Sequence, residues 1–306
     1  MSVTGIDLFA GGGGTSTGAV QCGVKMLWAA NHKKAAVDCH ELNHPLTLHI
    51  RQDLHQADWS LVPKHDIAFA SPCCQGHSKA SGKGGGSKKA DVSRSTAWAV
   101  VSCLEYHKTP IAIIENVTEF QKWSLFNVWC EAMKQLGYSM SLNYINLADL
   151  GGAQSRLRLI IVCTRTKHPL ELDLGATEHA PARSIIDTNF EGHKWDLVTN
   201  RSLPTQRRVE NGRRKFGDLF LEAAYSGEAG GRSIDKPIGT ITTINKHYVV
   251  MGDYIRPITI EEMAKAQTFP ADYIWPTQKT ITKELIGNAV PPLLSRRYTE
   301  AVLRAA

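Results

Sequence analysis

Several familiar sequence signals are absent from this chain of 306 residues. It has no apolar run of the roughly 18 residues that a transmembrane helix needs, so no membrane partner is expected. Its first residues, Met1-Ser2-Val3-Thr4, lack the basic and apolar regions of a secretory signal peptide. We therefore expect a cytoplasmic protein.

The seven cysteines also lack a pattern, being odd in number with no Cys-x-x-Cys spacing. This argues against a disulfide framework and a zinc ribbon, and favours reduced thiols. Cys39, His40, His44 and His49 lie close in sequence, but a solvated helix face explains them better than a metal site. No bound metal is expected.

Charge is only mildly unbalanced, with a formal net charge of +6. This permits a polyanionic partner without establishing one. The 42% hydrophobic and 21% charged content is that of an ordinary soluble globular protein, long enough for two domains.

Apolar runs and helical spacing alternate along the first half of the chain. This alternation predicts an α/β fold with a doubly wound, mostly parallel, Rossmann-like sheet. After residue 166 the alternation is lost and arginines cluster, whereas a helical pattern resumes near Arg256. We expect one domain over 1–166, a smaller domain over 167–250, and a return to the first domain over 251–306.

A glycine-rich turn follows the first predicted strand, in Asp7-Leu8-Phe9-Ala10-Gly11-Gly12-Gly13-Gly14. Such a turn lets the backbone pass close to a nucleotide-like ligand. No Gly-Lys-Ser/Thr follows, which excludes a phosphate-binding P-loop. After the second strand, Asn31-His32 stand where an NAD enzyme would place an acidic residue.

A second turn, Ser71-Pro72-Cys73-Cys74-Gln75, follows the apolar run 67–70. Pro72 ends the strand and leaves a thiol beyond its carboxyl end, where open α/β sheets carry reactive groups. Taken alone, the stretch fits two buried cysteines at a turn equally well.

Further motifs stand downstream in a fixed order, namely Glu115-Asn116-Val117, Gln154-x-Arg156-x-Arg158, Arg256-Pro-Ile-Thr-Ile-Glu261-Glu262, Gln267-Thr-Phe-Pro270 and Gly287-Asn288-Ala289-Val290-Pro291. With the two turns, the set resembles the cytosine-C5 DNA methyltransferases of bacterial or phage type. The resemblance implies a fold that binds S-adenosylmethionine and releases S-adenosylhomocysteine. It also implies methyl transfer to C5 of a cytosine.

The resemblance carries the family's catalytic roles onto this chain. Aligning Gln75 makes Cys74 the nucleophile and puts Cys73 in the place of the family's second proline. The fixed spacing to Gln75 favours Cys74 over Cys73 as the attacking thiol. Glu115 would contact cytosine N3, and Arg158, with Arg156, would lie against O2. Asn116 would brace the loop that carries the cysteine.

The resemblance also implies a cofactor site, comprising Asp7, Phe9, Gly11, Gly13, Thr15, His32, Asp53, Pro72, Asn288 and Val290. Phe9 would stack on adenine and Asp53 would bind its amino group. At position 32 the family usually has an acidic residue for the ribose hydroxyls, whereas this chain has His32.

Duplex DNA is the implied partner, with the target base flipped out of the helix. Lys79, Lys83, Lys88 and Lys89 lie in a glycine-rich stretch after the nucleophile that could close over DNA or serve as a plain linker. Arg207 and Arg213 would contact DNA from the smaller, target-recognition domain.

Two other functions remain open. One is an RNA cytosine-C5 methyltransferase acting on transfer RNA, and the other is a catalytically silent DNA-binding relative. The clustered arginines favour DNA over the first, and the retained cysteine, glutamate and glycine turn disfavour the second. We expect a monomer, with a cognate restriction endonuclease as a candidate functional partner.

Overall fold

The computed structural model describes residues 2–72, 96–224 and 231–305. The chain divides into two compact units. The first unit contains Met1–Asn146, Leu157–Gly175 and Ala289–Ala306, and the second contains Leu147–Arg156 and Ala176–Asn288.

Twelve strands and eight α-helices lie in the described ranges. The strands are β1 (Thr4–Leu8), β2 (Lys25–Asn31), β3 (Leu48–Arg51), β4 (Ile67–Ala70), β5 (Ile111–Asn116), β6 (Ser139–Asn146), β7 (Leu157–Thr164), β8 (Asp196–Leu197), β9 (Leu219–Ala223), β10 (Arg232–Ser233), β11 (His247–Met251) and β12 (Tyr254–Pro257). The helices are α1 (Gly14–Gln21), α2 (Lys34–Asn43), α3 (Ala97–His107), α4 (Phe126–Gln135), α5 (Leu203–Phe216), α6 (Ile260–Ala266), α7 (Lys279–Asn288) and α8 (Pro292–Ala305). Short 3-10 helices occupy Leu54–Gln56, Trp59–Leu61, Thr118–Lys122, Leu147–Leu150, Ala182–Ser184 and Val198–Asn200.

The first unit is built on a seven-stranded sheet with the order β3-β2-β1-β4-β5-β7-β6. The first five strands in this order are parallel, and β7 runs antiparallel to both of its neighbours. The predicted α/β fold with a mostly parallel sheet is therefore confirmed.

The central strands are apolar because they are buried on both faces. All of β4 is buried, and Ile6 and Leu8 of β1 are 0% exposed. Their burial is the main stabilising contribution of this unit, since apolar area removed from water contributes about 25 cal/mol per Å². The sheet therefore holds the loops at its carboxyl edge on a rigid base.

The second unit contains a five-stranded antiparallel sheet with the order β10-β9-β11-β12-β8. Val209 of α5 packs on this sheet with Phe220, Val250 and Ile255. Gly212 allows the close approach, because a Cβ there would lie 2.2 Å from the Phe220 ring.

The bounds of the two units differ from the domain bounds expected from the sequence. Residues 147–156 and 251–288 lie in the second unit, and 167–175 lie in the first. The helical pattern near Arg256 does not mark a return to the first unit, because β12 pairs with β11 in the second sheet. The chain returns at Ala289.

None of the helices in the described ranges is long and apolar enough to cross a membrane.

Candidate active site

The predicted site residues of the first unit gather at one edge of its sheet. The parallel register pairs Leu8 with Ala30 and Ala70, and Ala70 with Ile114. The carboxyl ends of β1, β2, β4 and β5 therefore lie within two residues of one level. In open α/β sheets this edge binds ligands.

The glycine turn follows β1 at this edge. Gly11 and Gly13 have φ of 53° and 89°, a left-handed conformation that residues with a Cβ rarely adopt. Phe9 also has a positive φ, of 66°, although it is bulky and only half-buried. Such a residue persists only where its surroundings enforce it, and strain of this kind clusters at ligand sites.

Asp7 lies at the base of this turn and is 0% exposed. The Ser16 hydroxyl donates to its Oδ2 at 2.7 Å, whereas Oδ1 has no hydrogen-bond partner among the described residues. Burial raises the pKa of Asp7 to about 7, and hydrogen bonds from the Ser16 hydroxyl and the Ser16 backbone oppose that rise. The carboxyl group therefore changes charge near neutral pH.

Helix α8 packs closely against α1. The Ser295 hydroxyl donates to the Thr15 carbonyl oxygen at 2.8 Å, and a Cβ on Gly18 would lie 2.4 Å from the Pro292 carbonyl oxygen. Val290, just before α8, is buried in this unit. Thr15 and Val290 thus belong to the unit that carries the glycine turn.

Glu115 and Arg158 form an ion pair at the carboxyl edge. The Arg158 Nε donates to Glu115 Oε1 at 2.9 Å, and each side chain is 12% exposed. The pairing follows from topology, because β7 runs antiparallel to β5 and begins where β5 ends. The Glu115 carboxylate, which accepts hydrogen bonds, therefore lies next to the Arg158 guanidinium, which donates several.

Asn116 follows Glu115 and is buried. Its Nδ2 donates to the Pro72 carbonyl oxygen at 3.1 Å, and its Oδ1 accepts from the Val117 amide. Asn116 thus fixes the residue after which the Cys73-Cys74-Gln75 stretch begins. That stretch, with Lys79, Lys83, Lys88 and Lys89, lies outside the described residues.

Arg156 belongs to the second unit and is buried. Its guanidinium donates to the Ile241 carbonyl at 2.9 Å and the Gly287 carbonyl at 3.1 Å. Gln154 accepts from the Ile241 amide and donates to Gln267, both in the same unit. The structure thus gives Arg156 main-chain partners in the second unit, while Glu115 pairs with Arg158.

The remaining predicted cofactor residues are more exposed. Asp53 caps the turn at Leu54–Gln56, with Oδ1 accepting from the His55 amide at 3.1 Å. His32 follows β2 at the sheet edge and is exposed, and so is Asn288 at the end of α7. Asn288 lies in the second unit, so the expected pair Asn288 and Val290 straddles the boundary between units.

The histidines 40, 44 and 49 form a feature that the sequence interpretation missed. His40 is 1% exposed, so the expectation of a solvated helix face was wrong for this residue. Its Nε2 lies 2.9 Å from Ser16 Oγ, and its Nδ1 lies 2.8 Å from His49 Nε2. Over the described ranges no group of three His, Cys, Asp or Glu side chains could hold a metal.

The arginines expected to contact DNA differ in their surroundings. Arg207 on α5 is exposed. Arg213 donates to the Gly252 carbonyl at 2.7 Å and pairs with Asp253 at 3.2 Å. Arg208 pairs with the buried Glu222. Arg207 is therefore better placed to meet a partner than Arg213.

Comparisons with known proteins identify the family of this chain. The family model for C-5 cytosine-specific DNA methylase matches residues 3–304. The type II methyltransferase M.HhaI of Haemophilus parahaemolyticus is 30% identical, over 93% of this chain and 89% of that protein. The type II methyltransferase M1.HphI of the same species is 26% identical, over 99% and 87%.

Solved structures show the same fold. A triple mutant of DNMT2 from Spodoptera frugiperda gives a TM-score of 0.73 at 17% identity, covering 99% of this chain and 100% of that one. The methyltransferase EhMeth of Entamoeba histolytica gives 0.70 at 16% identity, covering 100% and 99%. The match over nearly the whole length, together with the cytosine methyltransferase motifs, shows that this chain belongs to the C-5 cytosine-specific DNA methylase family.

Proposed function

We propose that this protein transfers a methyl group from S-adenosylmethionine to C5 of a flipped-out cytosine in a specific duplex DNA sequence. The reaction would pass through a covalent bond between Cys74 and cytosine C6. The observation that carries the proposal is the Glu115–Arg158 pair at the sheet edge, next in sequence to Asn116, which holds the Pro72 carbonyl.

The pair complements the pairing edge of cytosine. That edge offers an amino donor, the N3 acceptor and the O2 acceptor in a row. Glu115 can accept from the amino group and, when protonated, donate to N3, while Arg158 can donate to O2. A hydrogen bond or proton at N3 draws electrons from the ring and helps a nucleophile add to C6.

Cys74 supplies that nucleophile as a thiolate. Its addition to C6 places electron density on C5, which then bonds to the methyl carbon. Loss of the C5 proton to a base and departure of the thiolate restore the aromatic ring. Asn116 supports this chemistry by holding the Pro72 carbonyl that precedes the nucleophile.

The glycine turn fits S-adenosylmethionine. Positive φ at Gly11 and Gly13 brings bare backbone to the sheet edge, and the strained, half-buried Phe9 offers an aromatic face there. Thr15 and Val290 would complete the site in the first unit, with Asp53 and His32 at its exposed rim. When bound, the cofactor supplies the electrophilic methyl group on its sulfonium.

The second unit would select the DNA sequence, with exposed Arg207 on α5 as a contact and Arg213 holding local structure. Arg156 would stabilise this unit through its two carbonyl contacts. The lysines of 79–89 would meet phosphates as the loop closes on the flipped base. A type II relative such as M.HhaI suggests a cognate restriction endonuclease as a functional partner, and we expect the enzyme to act as a monomer.

The test is transfer of a labelled methyl group from S-adenosylmethionine to mixed-sequence duplex DNA and, in parallel, to transfer RNA. We expect 5-methylcytosine in DNA at one sequence, found by bisulfite sequencing, and none in RNA. In the same assay, Arg158→Ala should lose most of the transfer to DNA. Arg304→Ala, which removes an exposed arginine, is the matched control and should keep full activity. Methylation of RNA alone would support the RNA alternative, and binding of DNA without any transfer would support a silent relative.

A further inference from the structure

A continuous chain of hydrogen-bonding groups links buried Asp7 to the half-buried His49. Asp7 Oδ2 accepts from Ser16 at 2.7 Å, Ser16 Oγ lies 2.9 Å from His40 Nε2, and His40 Nδ1 lies 2.8 Å from His49 Nε2. Ser16 and His40 are both buried, at 0% and 1% exposure. The other carboxyl oxygen of Asp7, Oδ1, has no hydrogen-bond partner among the described residues.

Each group in this chain can both donate and accept, so the chain has two complete arrangements. In one, ionised Asp7 accepts from Ser16, Ser16 accepts from His40 Nε2–H, and His40 Nδ1 accepts from His49 Nε2–H. In the other arrangement the same hydrogen bonds are present, but the donor and the acceptor of each bond exchange roles. Asp7 then carries the proton, Ser16 donates to His40 Nε2, and His40 Nδ1–H donates to His49 Nε2.

The two arrangements differ by one proton, which enters or leaves at His49 Nδ1. A hydrogen bond between the His49 ring and the Thr47 backbone raises the pKa of His49. Both imidazoles stay neutral throughout, which agrees with the lowered pKa of His40 and of His49 that burial causes. The net change is therefore the charge of Asp7 alone.

The groups facing the chain do not compete for this proton near neutral pH. His44, whose ring lies 4.5 Å from that of His40, has a pKa lowered by burial to about 4. Tyr298 of α8 has a pKa raised by burial and by the charges of Glu115 and Asp7, so it stays neutral. Glu41 lies near His49 and raises its pKa, but less than burial lowers it.

We propose that this chain sets the charge of Asp7 and thereby the preference of the glycine turn for the methylated cofactor over its demethylated product. The inference rests on the proposed function, because it takes the turn as the cofactor site. The methylated cofactor carries a sulfonium cation and the product a neutral thioether. A carboxylate two residues before Phe9 therefore favours the first, and a carboxylic acid does not.

His40 is thus a positioning residue that acts through Ser16 on Asp7. Its identity matters because only imidazole offers a donor and an acceptor on opposite sides of one ring that exchange together. At a pH where Asp7 is ionised, the glycine turn would then bind S-adenosylmethionine tightly and release S-adenosylhomocysteine more readily.

The first test uses the protein without cofactor. Nitrogen-15 NMR of labelled histidines should show His40 changing from the Nδ1–H to the Nε2–H tautomer as Asp7 ionises, at a midpoint of about 7. Ser16→Ala should raise the Asp7 midpoint by about one pH unit and uncouple the tautomer from it. Thr17→Val removes the neighbouring buried hydroxyl outside the chain and should keep the wild-type midpoint. A His40 tautomer that stays constant while Asp7 titrates would overturn the proposal.

The second test measures the dissociation constants of S-adenosylmethionine and S-adenosylhomocysteine by calorimetry across the same pH range. The amino groups of the two ligands titrate differently, because the sulfonium cation lowers the pKa of the first, so the same measurement on Asp7→Asn gives the ligands' own pH dependence, which is subtracted. We expect the preference for the methylated form to rise about fivefold through the Asp7 midpoint, and the rise to move with that midpoint in Ser16→Ala. A ratio that is constant with pH would overturn the inference alone. Failure of both ligands to bind at any pH would overturn the proposed cofactor site as well, while the NMR result would still decide whether the proton chain exists.

Discussion

At the scale of single residues, the site depends on polar groups that are mostly shielded from solvent and held in pairs. Glu115 and Arg158 satisfy one another, and Asn116 satisfies the Pro72 carbonyl. A buried charge without its partner is costly, so each pair keeps both members in one geometry. A fixed geometry of this kind favours catalysis, because these side chains need not rearrange when the target cytosine binds.

The Glu115–Arg158 pair yields the first prediction. Glu115→Gln keeps the shape but loses the transferable proton, and we expect kcat to fall by about 10²–10⁴-fold. Arg158→Lys keeps the charge but loses the planar fork, and kcat/KM should fall by about tenfold or more. Steady-state methyl transfer to duplex DNA measures both. Wild-type rates in either variant would remove the pair from the reaction.

Asp7 yields a prediction about stability. Its pKa is raised from 3.8 to about 7 by folding, so the folded state binds the proton more tightly than the unfolded state. This contribution to stability is fully present below pH 3.8 and is lost as pH rises through about 7.

Asp7→Asn carries no such dependence. Relative to wild type, the variant should gain free energy of unfolding as pH rises from about 4 to about 7, with no further gain above that. Urea unfolding at a series of pH values measures the difference. A difference that is the same at all pH values would show that Asp7 is not the group responsible.

At the scale of elements, the contact between α1 and α8 holds the glycine turn in place. Gly18 allows this contact, since a Cβ there would meet the Pro292 carbonyl oxygen at 2.4 Å and Ser295 Cβ at 2.5 Å. Backbone and a short side chain cannot move aside cheaply. The position therefore needs glycine for space rather than for its conformation.

We expect Gly18→Ala to lower the free energy of unfolding by about 1–3 kcal/mol, and Gly18→Val to lower it further. Val20→Ala, on the exposed part of the same helix, is the control and should change stability by no more than about 0.5 kcal/mol. Thermal and urea unfolding check the order of the three variants. A more stable Gly18→Ala would mean that the two helices do not pack this closely.

The elements also show what a sequence can and cannot predict. The central strands β1, β4 and β5 were predictable because burial on both faces makes them short apolar runs. Strand β6 was missed, since its exposed and buried residues alternate irregularly. Helix α5 was missed because only Val209 and Gly212 are buried along its arginine-rich length.

The residues of the candidate site also divide into those whose place the sequence predicts and those whose place it does not. Glu115 and Arg158 lie at the ends of recognisable strands, so their place at the sheet edge could be predicted. The path from Asp7 through Ser16 and His40 could not, because it depends on how α1 and α2 pack. The sequence does show three histidines within ten positions, from α2 to β3. Composition alone, however, favours a polar surface at such a cluster.

At the scale of the whole molecule, the chain folds as two units with their own sheets, and we propose that the first carries the chemistry and the second the recognition of DNA. Arg207 and Arg213 test this division because they lie on the same helix with different surroundings. We expect Arg207→Ala to weaken DNA binding without changing Tm. A phosphate contact would lower the salt slope by about 1, and a base contact would relax one position by about 1–3 kcal/mol.

Arg213→Ala should instead lower Tm, because it removes the contacts to Gly252 and Asp253. Salt-dependent binding titrations and thermal unfolding of both variants measure the contrast. The opposite pattern, with Arg213 controlling binding and Arg207 stability, would contradict the assignment of these residues.

The covalent step at Cys74 is tested most directly by trapping with duplex DNA that carries 5-fluorocytosine at the methylated site. Fluorine cannot leave C5 as a proton does, so the enzyme should remain bound to the base through one thiol. Peptide mapping should locate the bond at Cys74, with Cys73→Ser still trapped and Cys74→Ser not. An active enzyme that forms no adduct, or one joined through Cys73, would contradict the account.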